Sequence, residues 1–336
     1  MKAACAIVMV FIGCCSTGVF LELLIKEIPS SGNLITFVQF SVIALEGFIF
    51  TAHFGTKKPR IAIKNYLTVV ALFSFANVCN NYVFIFNIPM PLHMIIRAGS
   101  LITNMIMGIL ILNRKYSFSK YMSVVMITLG IIICTIQSGK NIKPVALDNQ
   151  ESSMQVFFWW TVGVFILVIA LLVSARLGLY QETLYQRYGK HPREALFYTH
   201  LLPLPGFVIL YKDIYDSACL FAQSAPVTIP LLDIALPKLY LYLAGNVVTQ
   251  CICINSVYVL TTECSSLTVT LVVTLRKFAS LLFSIIYFQN EFTPAHWLGT
   301  LLVFVGTLTF TELLQKACAT CCGQKSNQRP DQTKQE

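Results

Sequence analysis

Apolar runs of about the length of a bilayer crossing follow one another along the whole chain, separated by short polar stretches. A spanning helix needs ~20 mainly apolar residues. Ten segments qualify, at roughly 4–25, 33–52, 65–87, 90–112, 119–138, 155–177, 195–211, 237–258, 262–288 and 296–315. Val156 to Ala175 carries no charge, whereas Pro203 and Pro205 interrupt the seventh run and predict a broken or kinked helix there. The pattern therefore predicts an all-α integral membrane protein with ten transmembrane helices.

The ninth run departs from plain apolarity. Ser266, Thr270, Thr274, Lys277, Ser280 and Ser284 fall within about a third of the helix circumference at ~100° per residue, which makes one face polar. Beside them stands Arg276, so two adjacent cations lie at membrane depth. Each costs at least ~2.5 kcal/mol to insert and is rarely retained without an anionic counterpart. The fourth run carries a similar feature, with His93, Arg97, Ser100 and Asn104 on one helical face. Arg offers phosphate a planar fork and Lys a point charge, so Arg276, Lys277 and Arg97 are read as a phosphate site. The competing reading pairs these cations with the intramembrane acids Glu22, Glu46, Glu182 and Glu263. Donors and acceptors suited to a nucleoside or sugar are Asn80, Asn81, Tyr82, Tyr180, Gln181, Asn246 and Gln250, together with His93, Ser100, Asn104, Ser266 and Thr270. Each of these, taken singly, reads equally well as an interhelical hydrogen bond.

Internal similarity suggests two halves. An offset of 160 aligns Gly18 with Gly178, Glu22 with Glu182, Leu24 with Leu184 and Phe37 with Phe197. An offset of 176 aligns Tyr116-Ser117 with Phe292-Thr293, Tyr121 with Trp297, Gly130 with Gly306 and Thr135 with Thr311. Five spans per half is an odd number, so the halves have opposite orientation, a 5+5 inverted repeat. Residues 1–138 form the first half, 139–154 a lumenal connecting loop, 155–315 the second half and 316–336 a polar, disordered cytosolic tail.

Composition agrees, at 56% hydrophobic and 12% charged residues with a mean hydropathy of +0.70. With the amino terminus in the cytosol, 15 of the 24 Lys and Arg fall on the cytosolic side, 5 on the other side and the rest at membrane depth. That bias puts both termini in the cytosol and makes the net charge of +9 a topology signal rather than a nucleic-acid footprint. Lys2, the following apolar run and Gly13 to Ser16 imitate a signal peptide, but the run continues to Ile25 with Glu22 its only charge. Most of the twelve Cys, among them Cys5, Cys79, Cys134, Cys251 and Cys253, lie in apolar spans and read as packing. Cys318, Cys321 and Cys322 lack the second ligand pair that zinc needs and suit juxtamembrane palmitoylation. No metal or cofactor is expected. Nucleotide-loop and zinc-hydrolase motifs are absent, which argues against an enzyme such as a membrane glycosyltransferase.

The runs Asn80 to Arg97, Glu194 to Phe207 and Thr261 to Phe288, with T-L-R-K-F at Thr274 to Phe278, resemble the nucleotide-sugar transporters of the drug/metabolite transporter superfamily. The resemblance covers about residues 4–315. It implies antiport of cytosolic UDP-N-acetylglucosamine and UDP-xylose against lumenal UMP by alternating access, in a Golgi or endoplasmic reticulum membrane. It also implies that Arg276 and Lys277 face the phosphates. Expected partners are UDP-sugars, UMP and the lipid bilayer, with a homo-oligomer admitted. The alternatives are an ATP/ADP or other nucleotide-sugar exchanger of the same fold, and a membrane receptor.

Overall fold

A computed structural model describes residues 2–140, 153–189, 191–229, 234–264 and 266–311. Most of the loop expected at 139–154, and the tail at 316–336 with Cys318, Cys321 and Cys322, lie outside the described residues. The helices are α1 (Lys2–Glu27), α2 (Gly32–Phe50), α3 (Ile63–Tyr82), α4 (Met90–Ala98), α5 (Ser100–Leu112), α6 (Phe118–Lys140), α7 (Ser153–Tyr188), α8 (Pro192–Leu201), α9 (Tyr211–Ala222), α10 (Lys238–Glu263), α11 (Ser266–Tyr287) and α12 (Pro294–Phe310). Eight helical stretches are long and apolar enough to cross a membrane, with α4 and α5 together making one of them, and α12 is a shorter apolar helix. The protein is a multi-pass, helical membrane protein. Its outer surface is apolar, as Leu110, Phe118 and Ile286 illustrate, each more than two-thirds exposed.

The seventh run is broken at its Pro pair as expected, and two other local readings need correction. The span at 195–211 is α8 followed by a 3-10 stretch, Leu204–Leu210, because Pro203 and Pro205 cannot supply the amide donors of a continuous helix. An antiparallel hairpin, β1 (Pro226–Ile229) with β2 (Ile234–Pro237), pairs Pro226 with Pro237, so the chain is not purely helical. Cys253 does more than pack, since it is disulfide-bonded to Cys14 and ties α10 to α1. Local chemistry sets the ends elsewhere. Thr293 and His296 form a capping box that starts α12 one residue before Pro294, and Asn87 and Asn113 adopt left-handed backbone that ends the preceding helices.

The helices pack in a definite scheme. α1 lies along α10 and α3 along α7; α6 crosses α12, α2 crosses α8 and α4 meets α11; α1 also touches α11, and α5 touches α7. At the α6–α12 crossing the backbones approach closely, with Gly130 against Gly299 and Val303, and Gly306 against Ser123 and Ile127. At the α2–α8 crossing the Phe40 and His200 rings lie 4.7 Å apart, Phe37 meets Phe207 at 5.5 Å, and Gly47 faces Phe197.

Polar ties cluster at the two ends of the bundle. At one end Lys238 bonds Glu27 (2.6 Å), Lys26 donates to the Phe288 carbonyl (3.2 Å), and buried Glu22 accepts from Ser284 Oγ (2.6 Å) and Asn290 Nδ2 (2.8 Å). At the other end Arg114 pairs with Glu182, and the Glu194 carboxylate accepts from the Arg60 and Ile61 amides and the Tyr66 hydroxyl. This second end gathers the basic residues of segments 57–60, 114–115, 187–189 and 191–193.

Candidate functional site

Between those ends, at the middle of α4 with α5 and of α11, the two cationic segments come together. α4 packs on α11, and the positive charges of both Arg97 and Arg276 act on the Lys277 ammonium. Arg97 and Lys277 are exposed and Arg276 is half-buried. Side chains so placed on two helices that pack together are open to an incoming ligand. Among the described residues no carboxylate pairs with Arg97, Arg276 or Lys277, and the buried Arg276 Nε–H has no acceptor.

The acids that might have neutralised the cluster are engaged elsewhere. Glu22 is held by Ser284 and Asn290, Glu46 accepts from Asn255 Nδ2 (2.9 Å), Glu182 pairs with Arg114, and Glu263 is exposed at the end of α10. Cations at membrane depth without a carboxylate partner are costly, and two guanidinium forks with an ammonium are groups of the type that bind phosphate.

The helices carrying the cations show why they converge. At Gly99 the chain tightens, its amide bonding the Ile96 carbonyl at 2.8 Å, and this separates α4 from α5 just after Arg97. A Cβ at Gly99 would sit 2.9 Å from that carbonyl and 3.2 Å from Ile131 Cδ1, so the residue also permits close approach to α6. Arg97 thus occupies the C-terminal turn of a half-helix, where the backbone dipole favours a cation. On α11 the polar face is only partly wet, because Ser280 donates to Cys15 Sγ (3.3 Å) and Ser284 to Glu22. Cys15, which sequence reasoning missed, also lies 3.9 Å from the Arg276 carbonyl oxygen; its place one helical step from Cys14 gave no signal of this.

The residues proposed to read nucleoside or sugar divide by location. Ser100 and Asn104 follow Arg97 along α5; Asn104 is exposed, and its Oδ1 lies 4.0 Å from where a Cβ on Gly178 would be. Gln250 and Gln181 are half-buried with no hydrogen bond among the described residues, whereas Thr270 is half-buried and does have a partner. His93 is buried, its Nε2 3.4 Å from Asn80 Oδ1 and its ring 4.8 Å from Phe84. Asn80 also donates to the Ala76 carbonyl (2.6 Å). Asn81 donates to Asn33 and Thr36, in a network that continues from Asn33 to Asp213 and includes Tyr82. Asn246 is fully buried, accepts from Gln39 (2.6 Å) and donates to the Thr17 carbonyl (3.0 Å). Tyr180 packs against the Ile61–Tyr66 cluster. The Ser266 side chain lies outside the described residues.

The sequence profile described as the UAA transporter family matches residues 2–314. The chain is 53% identical to the UDP-xylose and UDP-N-acetylglucosamine transporter of Danio rerio, over 98% of this chain and 100% of that one. It is 57% identical to the endoplasmic reticulum GDP-fucose transporter of Drosophila melanogaster, over 94% and 92% of the two chains. It is 54% identical to the human nucleotide sugar transporter SLC35B4, over 93% and 95%.

Proposed function

The chain belongs to the UAA transporter family, whose members are nucleotide-sugar transporters and not enzymes, and from that membership we propose that it moves UDP-N-acetylglucosamine and UDP-xylose out of the cytosol in exchange for lumenal UMP. The membrane is that of the Golgi or endoplasmic reticulum, in line with the names of its relatives. The observation that carries the reading is the mid-span cluster of Arg97, Arg276 and Lys277, without an ion pair among the described residues. The diphosphate of the sugar donor, or the monophosphate of UMP, neutralises it. Residues along a central cavity, with Ser100, Asn104, Gln181 and Gln250 candidates whose side chains are bonded to nothing among the described residues, contact uridine and sugar. Asn80, Asn81, Tyr82, His93, Tyr180, Asn246, Ser266 and Thr270 remain in the proposed set, those already bonded acting through helix position.

The architecture proposed is ten spans in a 5+5 inverted repeat with both termini cytosolic, halves at 1–138 and 155–315 joined by a lumenal loop. The contact scheme supports it. Under the 176 offset Gly130 against Gly299 and Val303 becomes Gly306 against Ser123 and Ile127. Under the 160 offset Phe40 maps to His200, its own partner, and Gly47 against Phe197 becomes Phe207 against Phe37. The basic segments gathered at one end of the bundle support cytosolic termini.

The same offsets relate two latches. Glu22 maps to Glu182 and Asn290 to Arg114, so the Glu22–Asn290 tie between α1 and α11 at the lumenal end is the counterpart of Glu182–Arg114 between α7 and the end of α5 at the cytosolic end. Alternating access opens one latch while the other stays closed, around the fixed cation cluster. Hydrogen bonding to Glu182 pushes the Arg114 pKa further up, so its latch does not open by deprotonation.

The test is counterflow in proteoliposomes loaded with UMP or GMP, with labelled UDP-N-acetylglucosamine, UDP-xylose, GDP-fucose and ATP outside. Uptake of the two UDP-sugars that depends on internal UMP and is lost in Arg276→Ala and Lys277→Ala supports the proposal. Uptake of GDP-fucose against GMP instead would assign the base read by the Drosophila relative, and uptake surviving both substitutions would remove the phosphate site.

A further inference from the structure

A second basic site lies away from the transport cluster, at the end of the bundle where α2 passes to α3. The loop between them turns back through left-handed backbone at His53, Phe54 and Gly55 (φ 46°, 57° and 83°). It is then pinned to α8, because the Glu194 carboxylate takes the amides of Arg60 (3.0 Å) and Ile61 (3.0 Å) and the Tyr66 hydroxyl (3.1 Å). The result is a cleft of about 500 Å³ with Lys57, Lys58 and Arg60 on one wall and Arg193 on the other. The Arg193 guanidinium lies 4.4 Å over the Tyr258 ring of α10, which fixes its direction.

Among the described residues four cations therefore share one cleft with one acid. Glu194 is that acid, and its oxygens are occupied by the three donors that hold the loop. Among the described residues no carboxylate pairs with Lys57, Lys58, Arg60 or Arg193. The preference for Lys and Arg on the cytosolic side accounts for charge in these loops. It does not account for loops from the two halves of the chain being brought together around a cavity, with their shared acid consumed in the scaffold. Such a cavity suits a dense anion that accepts several charge-assisted hydrogen bonds at once.

We propose that this cleft is a second phosphate-binding site, separate from Arg97, Arg276 and Lys277. Two sources supply such a phosphate. One is the phosphorylated headgroup of a lipid in the adjacent leaflet, favoured by the exposed Phe50 and Phe54 beside the cleft, since aromatic and basic residues together mark a membrane interface. The other is a soluble nucleotide captured before entry to the central cavity. The side of the membrane rests on the orientation proposed above, but binding itself does not.

The experiment compares the full chain with a Lys57→Gln, Lys58→Gln, Arg60→Gln triple variant, with Arg193→Gln and with Lys277→Ala. Native mass spectrometry would follow retention of phosphatidylinositol bisphosphate against phosphatidylcholine, and calorimetry in phosphatidylcholine nanodiscs would count UDP-N-acetylglucosamine and UMP sites. A lipid site predicts that phosphatidylinositol bisphosphate retention falls roughly a hundredfold in the triple variant and stays unchanged in Lys277→Ala. A soluble source predicts two nucleotide sites that become one in the triple variant and in Arg193→Gln, the remaining one being lost in Lys277→Ala. Retention of lipid and nucleotide that is equal in the full chain and both cleft variants would overturn the proposal. Both readouts measure binding without transport, so failure here leaves the exchange reading standing.

Discussion

If Arg97, Arg276 and Lys277 form the proposed phosphate site, their removal should be felt in substrate binding first. A charge-assisted hydrogen bond is worth ~1.5–3 kcal/mol, so each Ala substitution should raise the KM for UDP-sugar counterflow by roughly 10- to 100-fold. Arg97→Lys should recover less than Lys277→Arg, because a point charge cannot reproduce a guanidinium fork. Radiolabelled uptake at varied substrate concentration measures both. Asn246 sits differently, bridging Gln39 and the Thr17 backbone without exposure. Asn246→Ala should lower thermal stability in detergent by about 1–3 kcal/mol through two orphaned partners, whereas Asn104→Ala should leave stability unchanged and alter uptake. The cations were legible in the sequence because charge inside an apolar run is conspicuous. The division among the Asn, Gln and Tyr residues was not, since hydrogen-bond capacity is the same whether the partner is a neighbouring helix or a ligand.

Among the helices, glycine marks where backbones must meet. A side chain at Gly130 would run into Gly299 and Val303, and one at Gly306 into Ser123 and Ile127, whereas nothing lies within 4 Å of a Cβ at Gly18. Gly130→Val and Gly306→Val should therefore destabilise by about 1–3 kcal/mol through overpacking, and Gly18→Ala should be neutral or stabilise by about 0.5–1 kcal/mol. Thermal unfolding monitored by tryptophan fluorescence distinguishes them. The latches make a prediction of their own. Glu22→Ala releases α11 from α1 and should raise labelling of a cysteine placed at Asn87, which lines the cavity at that end, by an impermeant thiol reagent. Glu182→Ala should lower that labelling, and equal responses to the two substitutions would refute a paired mechanism. Eight of the expected spans followed from apolar length. The break after Pro203 was legible in the sequence, whereas the one at Gly99 depends on neighbouring helices as much as on local sequence, as the approach of Ile131 shows.

For the molecule as a whole, the disulfide between Cys14 and Cys253 joins two helices that are 239 residues apart in sequence. Cys14→Ser should leave the fold intact and lower stability by about 2–4 kcal/mol, and alkylation under non-reducing conditions should report a newly free Cys253. A cationic cavity closing without an anion would bury uncompensated charge, so net UDP-sugar flux into vesicles without internal nucleotide should be slow. Chain order alone determined that this protein lives in a membrane, roughly where most of its helices run, and that cations interrupt two of the apolar runs. These properties are local or periodic, and hydrophobic length and charge express them directly. Only the tertiary structure decided that Glu22, Glu46 and Glu182 leave the cations unpaired, that Cys253 finds Cys14, and that two distant basic loops share a cleft. Those outcomes depend on which helices touch, and contact between segments far apart in sequence is fixed by packing rather than by any pattern along the chain.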